Sequence, residues 1–228
     1  MAGLPLEHEF VPPEAETDGP SPVVIVLHGR GADEQDLLPV ARQLPDELAA
    51  LSLRAPEALM GGYTWYEIDM SAGGLHQSQP DPDGFRRSLD LVSEAVAAAP
   101  GRYDIDSDRI GLLGFSQGAI MTFSLLLEQP DRYGWISAHH GYLAETQAEL
   151  APDGVRGTPV FIAAGTADQL IPASRAETAA DRFRSLGCEV TFETYQVGHG
   201  IGQQELADLV AFVDAALEAG ADGNSPAG

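Results

Sequence analysis

Arg109-Ile-Gly-Leu-Leu-Gly114-Phe115-Ser116-Gln117-Gly118-Ala-Ile-Met-Thr-Phe123 is an apolar, strand-like run that passes through Gly-x-Ser-x-Gly into a helical pattern. It reads as strand, sharp turn, helix, with the turn holding the Ser116 hydroxyl above the end of a sheet. Glycines suit positions 114 and 118 because such a turn leaves no room for side chains beside the serine, and its strained backbone favours small neighbours. The same turn aims the backbone N–H of Gln117 at the place where an oxyanion would form. This stretch predicts an α/β fold and makes Ser116 the candidate nucleophile.

Working outward, six apolar runs read as strands: Val23–His28, Leu51–Arg54, Arg109–Phe115, Gly134–His139, Pro159–Ala164 and Glu189–Tyr195, with an edge strand near Glu7–Val11. Several are continuous Val/Ile/Leu/Ala runs, as parallel strands covered on both faces require. Helical patterns fall between them at Glu34–Leu44, Phe85–Ala99, Gln117–Gln129, Ala173–Leu186 and Gln203–Leu217. Pro100-Gly101, Pro130 and Gly187 supply helix stops. This alternation implies a mostly parallel central sheet with helices on both faces and right-handed crossovers. Residues 1–218 read as one domain, and the small, polar 219–228 as a flexible C-terminal tail. Leu59–Gly84 is rich in Gly, Pro and polar residues, and is longer than a plain connection should be, which marks it as functional.

A serine at such an elbow needs a base to take its proton and an acid to hold that base. In α/β hydrolases the three follow in the order nucleophile, acid, histidine. Asp168 fits the acid, in a turn leaving the strand Pro159-Val-Phe-Ile-Ala-Ala-Gly165. His199 fits the base, in Tyr195-Gln-Val-Gly-His199-Gly200 after the last strand. Both loops leave the carboxyl ends of strands, where open α/β sheets gather their sites. The first central strand ends in His28-Gly29-Arg30-Gly31, a His-Gly-x-Gly loop of the kind that supplies a second oxyanion N–H. That N–H is assigned to the backbone of Arg30, beside that of Gln117, with His28 bracing the loop. His139 and His140 precede Asp168 and break the order, so substrate contact or packing is expected of them. As adjacent strand residues they should face opposite sides, and no ligand cluster suggests a metal. Tyr63, Trp65 and Tyr66 are candidates for the substrate-binding wall of an acyl pocket, together with His140, Leu170 and Ile171.

Composition narrows the setting. The 228 residues carry 35 acidic against 12 basic side chains, a formal net charge of -23, and all the basic residues are arginine. A GC-rich genome would explain the missing lysine but not the acidic excess. Such self-repulsion destabilises a compact state at low salt, whereas at molar salt the Debye length falls to about 3 Å. The expectation is a halophilic protein, stabilised by salt, that nucleic acid and anionic membranes repel. No apolar run could span a bilayer, and the N-terminus has neither a basic region nor an apolar core, so no membrane insertion and a cytoplasmic location are expected. The single cysteine, Cys188, forms no internal disulfide and reads as a small buried hydrophobe.

Leu27-His-Gly-Arg-Gly-Ala-Asp33-Glu34, Gly114-Phe-Ser-Gln-Gly118, Gly165-Thr-Ala-Asp168-Gln-Leu-Ile-Pro172 and Gly198-His199 resemble the phospholipase/carboxylesterase family of α/β hydrolases, which includes acyl-protein thioesterases. Ala55-Pro56 followed by Gly61-Gly62-Tyr63-Thr64-Trp65-Tyr66 resembles that family's segment ending in Trp-Phe. The resemblance runs from about Pro22 to the final helix. It implies an α/β-hydrolase fold without a large lid domain and a serine carboxylesterase acting on short- to medium-chain esters, thioesters or lysophospholipids. It carries nucleophile, acid and base onto Ser116, Asp168 and His199, and the oxyanion donors onto Arg30 and Gln117. Two positions depart from the family pattern. Arg30 replaces an apolar residue, and His139-His140-Gly141-Tyr142-Leu143 stands where a Ser-Gly-Tyr-Leu type segment is common. No metal or organic cofactor is implied, the partner is a small-molecule ester, and the oligomeric state stays open. An acyltransferase or perhydrolase using the same triad, and a binding module on a hydrolase scaffold, are the alternatives at this stage.

Overall fold

The computed structural model describes residues 3–16, 19–71 and 73–223. Along the chain, β1 (His8–Val11) and β2 (Ser21–Leu27) lead into a short helix α1 (Leu38–Ala41) and then β3 (Ala49–Leu53). Two small antiparallel pairs follow, β4 (Glu57–Leu59) with β5 (Gly62–Thr64) and β6 (Ile68–Asp69) with β7 (Gln79–Pro80). Next come α2 (Pro82–Ala98), β8 (Ile105–Phe115), α3 (Gln117–Glu128), β9 (Trp135–His139) and β10 (Pro159–Gly165). The chain closes with α4 (Ala173–Ser185), β11 (Glu189–Tyr195) and α5 (Gln203–Gly223). Seven strands form one sheet in the order β1-β3-β2-β8-β9-β10-β11. β1 is antiparallel to β3, and every other neighbouring pair is parallel.

Consecutive strand side chains point to opposite faces, so a continuous apolar run is what a strand covered on both sides needs. In β2, Val23, Ile25 and Leu27 join one core with Leu89 of α2, Phe123 of α3 and Phe183 of α4. Val24 and Val26 face the other way, onto Leu209 and Val213 of α5 and Ala41 of α1. The expected two-sided α/β layering is present. No described helix is long and apolar enough to cross a membrane.

Two helices depart from expectation. The pattern at Glu34–Leu44 yields only the four residues of α1. Asp33 captures the N–H of Gln35 in a local turn, while Glu34 is drawn to Arg54. Helix starts only at the proline-bearing turn, where Pro39 gives up no useful hydrogen bond. At the other end, α5 runs past the expected stop at Leu217 to Gly223, into the segment expected to be a tail. No proline interrupts it there; residues 224–228 lie outside the described residues.

The sheet's carboxyl edge is where four loops converge, those after β2, β8, β10 and β11. Their approach depends on a close contact of backbones. A Cβ at Gly118 would lie 1.9 Å from the carbonyl oxygen of Leu27, so the first turn of α3 rests directly on the end of β2. Both sides of that contact are backbone and neither can swing away. Gly118→Ala is expected to destabilise the protein by about 3 kcal/mol, the upper range for forcing a group into a packed site, measured as a lower urea midpoint.

Candidate active site

β8 delivers Ser116 and α3 carries the chain away. Ser116 sits at φ 55, ψ -114, outside the regions a non-glycine residue normally occupies. Two bonds hold it there: its N–H donates to the His139 carbonyl (2.9 Å), and its own carbonyl accepts from the N–H of Ile120 (3.2 Å). The side chain of Gln117 is buried and held at both its oxygen and its nitrogen. Its Oε1 accepts from the Thr64 hydroxyl (3.0 Å) and the Trp65 N–H (3.2 Å), and its Nε2 donates to the Tyr66 carbonyl (2.9 Å). The elbow thereby pins residues 64–66 against itself.

Ser116, His199 and Asp168 form a hydrogen-bonded line. The Ser116 hydroxyl donates to Nε2 of His199 (2.9 Å), and Nδ1–H of His199 donates to Oδ2 of Asp168 (2.7 Å). Asp168 is itself held by the N–H groups of Leu170 (2.8 Å) and Ile171 (3.0 Å) on Oδ1. Burial alone would raise its carboxyl, but the bonds from His199 and the two backbone donors outweigh that and hold it below the usual carboxylate range. An ionised acid orienting a histidine whose far nitrogen meets a serine hydroxyl can perform base-assisted nucleophilic attack.

Next to this line lies the loop after β2. His28 is fully buried; its Nδ1–H donates to the Gly29 carbonyl (2.7 Å), and its Nε2 accepts from the N–H of Ala55 (3.0 Å). Burial, the largest influence, moves its pKa down. His28 braces the loop, as expected. The N–H of Gly31 is used by the Tyr63 carbonyl (2.7 Å), whereas the N–H of Arg30 has no acceptor among the described residues. Gln117 is the first residue of α3, so its N–H has no partner within the helix. The Arg30 guanidinium points outward to Glu67, 3.7 Å away.

These groups open onto a cavity of about 460 Å³, within the size range of small-molecule sites. Of the expected wall residues, Tyr66, Leu170 and Ile171 line it. Tyr63, Trp65 and His140 do not. Trp65 is fully buried, its Nε1–H donating to the His28 carbonyl (2.9 Å). Tyr63 lies under the Arg54 guanidinium, 4.7 Å from its ring centre. His140 stands behind Asp168, its Nδ1 3.2 Å from Oδ2. The sequence reading missed Phe115, Ile120, Ile68 and Tyr142, all of which line the cavity. For Ile120 a signal existed, since it is one helical turn after Ser116. The stacking of the Arg175 guanidinium 3.2 Å above the Tyr142 ring had none.

His139 and His140 also depart from the expectation of opposite faces. His140 lies just past β9 at φ 54, which turns its ring round. Both rings reach Glu205 at the start of α5, His139 Nδ1 at 2.6 Å from Oε1 and His140 Nε2 at 3.3 Å from Oε2. One nitrogen or oxygen each from His140, Asp168 and His199 lies within 4.8 Å of the others, close enough to suggest a cation site. Every ring nitrogen of that group is nevertheless engaged by a side chain, and the fourth member, Glu205, ties in from behind.

Comparison with known proteins decides the family. A family model described as phospholipase/carboxylesterase matches residues 7–217, nearly the whole chain. The chain belongs to the phospholipase/carboxylesterase family. Acyl-protein thioesterase 1 of Debaryomyces hansenii is 28% identical to it over 170 residues, 72% of each chain. Acyl-protein thioesterase 1 of Candida albicans is 27% identical over 215 residues, 86% of this chain and 92% of the relative. The crystal structure of the Bacillus cereus carboxylesterase matches with a TM-score of 0.80 at 26% identity, covering 92% of this chain and 94% of that one. As a member of this family the protein is a hydrolase of the carboxylesterase and acyl-protein-thioesterase type, on an α/β-hydrolase fold with no large lid among the described residues.

Proposed function

We propose that this protein hydrolyses short- to medium-chain carboxylic esters through a Ser116-His199-Asp168 triad and an acyl-enzyme. The observation that carries the reading is the unbroken line from Ser116 Oγ through His199 to Asp168, with bonds of 2.9 and 2.7 Å, opening onto a largely apolar cavity. His199 takes the Ser116 proton as Oγ bonds to the ester carbonyl carbon. The N–H groups of Arg30 and Gln117 hold the resulting oxyanion, each donor contributing about 10²–10³ in rate. Collapse breaks the bond to the leaving oxygen, which takes the proton from His199. Water then repeats the sequence on the acyl-Ser116 ester and releases the acid. Tyr66, Ile120, Tyr142, Leu170 and Ile171 surround the acyl chain in this reading.

The names of the relatives favour a second use of the same site, cleavage of thioesters. The test is a p-nitrophenyl ester series from acetate to decanoate, with a matched thioester series, run at low and at molar KCl. Turnover should peak between the ends of the series and rise with salt, as the net charge of -23 implies. A folded protein that turns over no member at molar salt, and whose Ser116 resists a fluorophosphonate, would overturn the proposal.

A further inference from the structure

The acid of the proposed triad does not stand alone. Oδ2 of Asp168, the oxygen that accepts from His199, also lies 3.2 Å from Nδ1 of His140. The other nitrogen of the same ring, Nε2, lies 3.3 Å from Oε2 of Glu205. Ionised carboxylate oxygens only accept hydrogen bonds, so contacts at both ends of the ring require a proton on each nitrogen. The side chains of His140, Asp168 and Glu205 are all fully buried. Two buried anions with no cation between them would be costly, and one imidazolium relieves both.

We propose that His140, held as an imidazolium between Asp168 and Glu205, is a positioning residue that orients the triad acid and sets the pH at which His199 can serve as base. The inference rests on the triad reading above. Electrostatics along the line agree with it. Burial would lower His140, yet its bonds to Glu205 and Asp168 outweigh this and raise it. Burial would raise Glu205, yet the bonds from His139 and His140 pull it down to about 2. Glu205 is anchored from the other side too, accepting from His139 Nδ1 and from the N–H of Gly202 (3.3 Å).

The groups facing the His140 ring come from four elements. They are Asp168 after β10, His199 after β11, Glu205 on α5, and the uncharged ring of Phe115 on β8, 5.6 Å away between centres. His139, its neighbour on β9, reaches it through Glu205. The centres of the His140 and His199 rings are 5.7 Å apart. A positive charge at that distance, drawing on the same oxygen of Asp168, opposes a second positive charge on resting His199. Glu205 lies on the far side of His140 and offsets only part of this. His140 and His199 thus draw on one oxygen of Asp168, and removing the His140 charge changes what that oxygen offers His199.

The test compares kcat/KM against pH for the wild type, His140→Ser and Glu205→Gln, each checked by thermal melting. Serine removes the imidazole and leaves a small polar side chain on the same backbone. In His140→Ser the acid limb should move up by about one pH unit. Glu205→Gln keeps the ring but removes the anion that holds its second proton, and should move the limb the same way by less. A plain structural role would lower activity at every pH and leave the limb where it was, which overturns the proposal. Should the variants not fold, nitrogen-15 NMR of histidine-labelled wild type decides. At about pH 8 one of the six histidines should keep both ring nitrogens protonated, and a spectrum with none refutes the imidazolium. Absence of any esterase activity in the wild type would instead refute the triad reading, and the NMR result would still test the charge on His140.

Discussion

Ser116→Ala should lower kcat for ester hydrolysis by about 10⁶, as loss of the nucleophile does in other triads, while the protein remains folded. The substitution removes one oxygen. It leaves the backbone bonds of the elbow, from Ser116 N–H to His139 and from Ile120 to the residue 116 carbonyl, in place. It also leaves Gln117, whose three side-chain bonds hold residues 64–66. The cavity and the proposed oxyanion donors, Arg30 and Gln117, therefore survive, and whatever slow hydrolysis remains reports those donors and binding alone. Steady-state rates with the best p-nitrophenyl ester, together with loss of fluorophosphonate labelling and an unchanged melting curve, check the expectation. Residual activity within a hundredfold of wild type would place the nucleophile elsewhere.

Asp168→Asn should cost about 10⁴ in kcat, the loss seen when a triad acid becomes an amide without loss of geometry. Oδ1 of the asparagine can still accept from Leu170 and Ile171, so the loop should keep its shape. The group replacing Oδ2 would be an NH₂, which donates where the carboxylate accepted. It would then face two ring nitrogens, Nδ1 of His199 and Nδ1 of His140, both of which donate in the wild type. His199 would have to present a bare Nδ1 and carry its proton on Nε2, the nitrogen that must be free to take the serine proton. His140 would have to give up a proton or the bond. KM should change little beside kcat, since Asp168 does not line the cavity. A fall in kcat of less than tenfold would show that Asp168 does not orient the base.

The parts of the site that were legible from the residues are those written in short, local runs. A turn that permits only small residues around a serine announces itself, because Gly114 and Gly118 are required by contacts within the strand-turn-helix unit and with its nearest neighbour strand. Asp168 and His199 were legible by order and by their place after strands, since parallel strands deliver all such loops to one edge. The wall of the cavity was not. Within Leu59–Gly84, Trp65 and Tyr66 are adjacent and both buried, yet only Tyr66 lines the cavity. The choice is made by Gln117, which takes the backbone of Trp65 and Tyr66 in a fixed orientation, and by the His28 carbonyl, which claims the Trp65 indole. The short α1 was missed for a similar reason, as the periodicity of residues 34–44 says nothing of the pull of Arg54 on Glu34.

The chain by itself determined the layered α/β architecture and which serine, aspartate and histidine the fold brings into one hydrogen-bonded line, because apolar periodicity, glycine-lined turns and strand order act over a few residues at a time. Only the tertiary structure decided what stands behind the acid. His140 looked like one of a strand-end pair facing opposite ways, and no motif singled out Glu205. They meet because a positive φ at His140 turns its ring and α5 starts against that sheet edge. A buried carboxylate keeps its charge only where donors from several elements converge on it, and such convergence is a property of the packed molecule rather than of any segment in it.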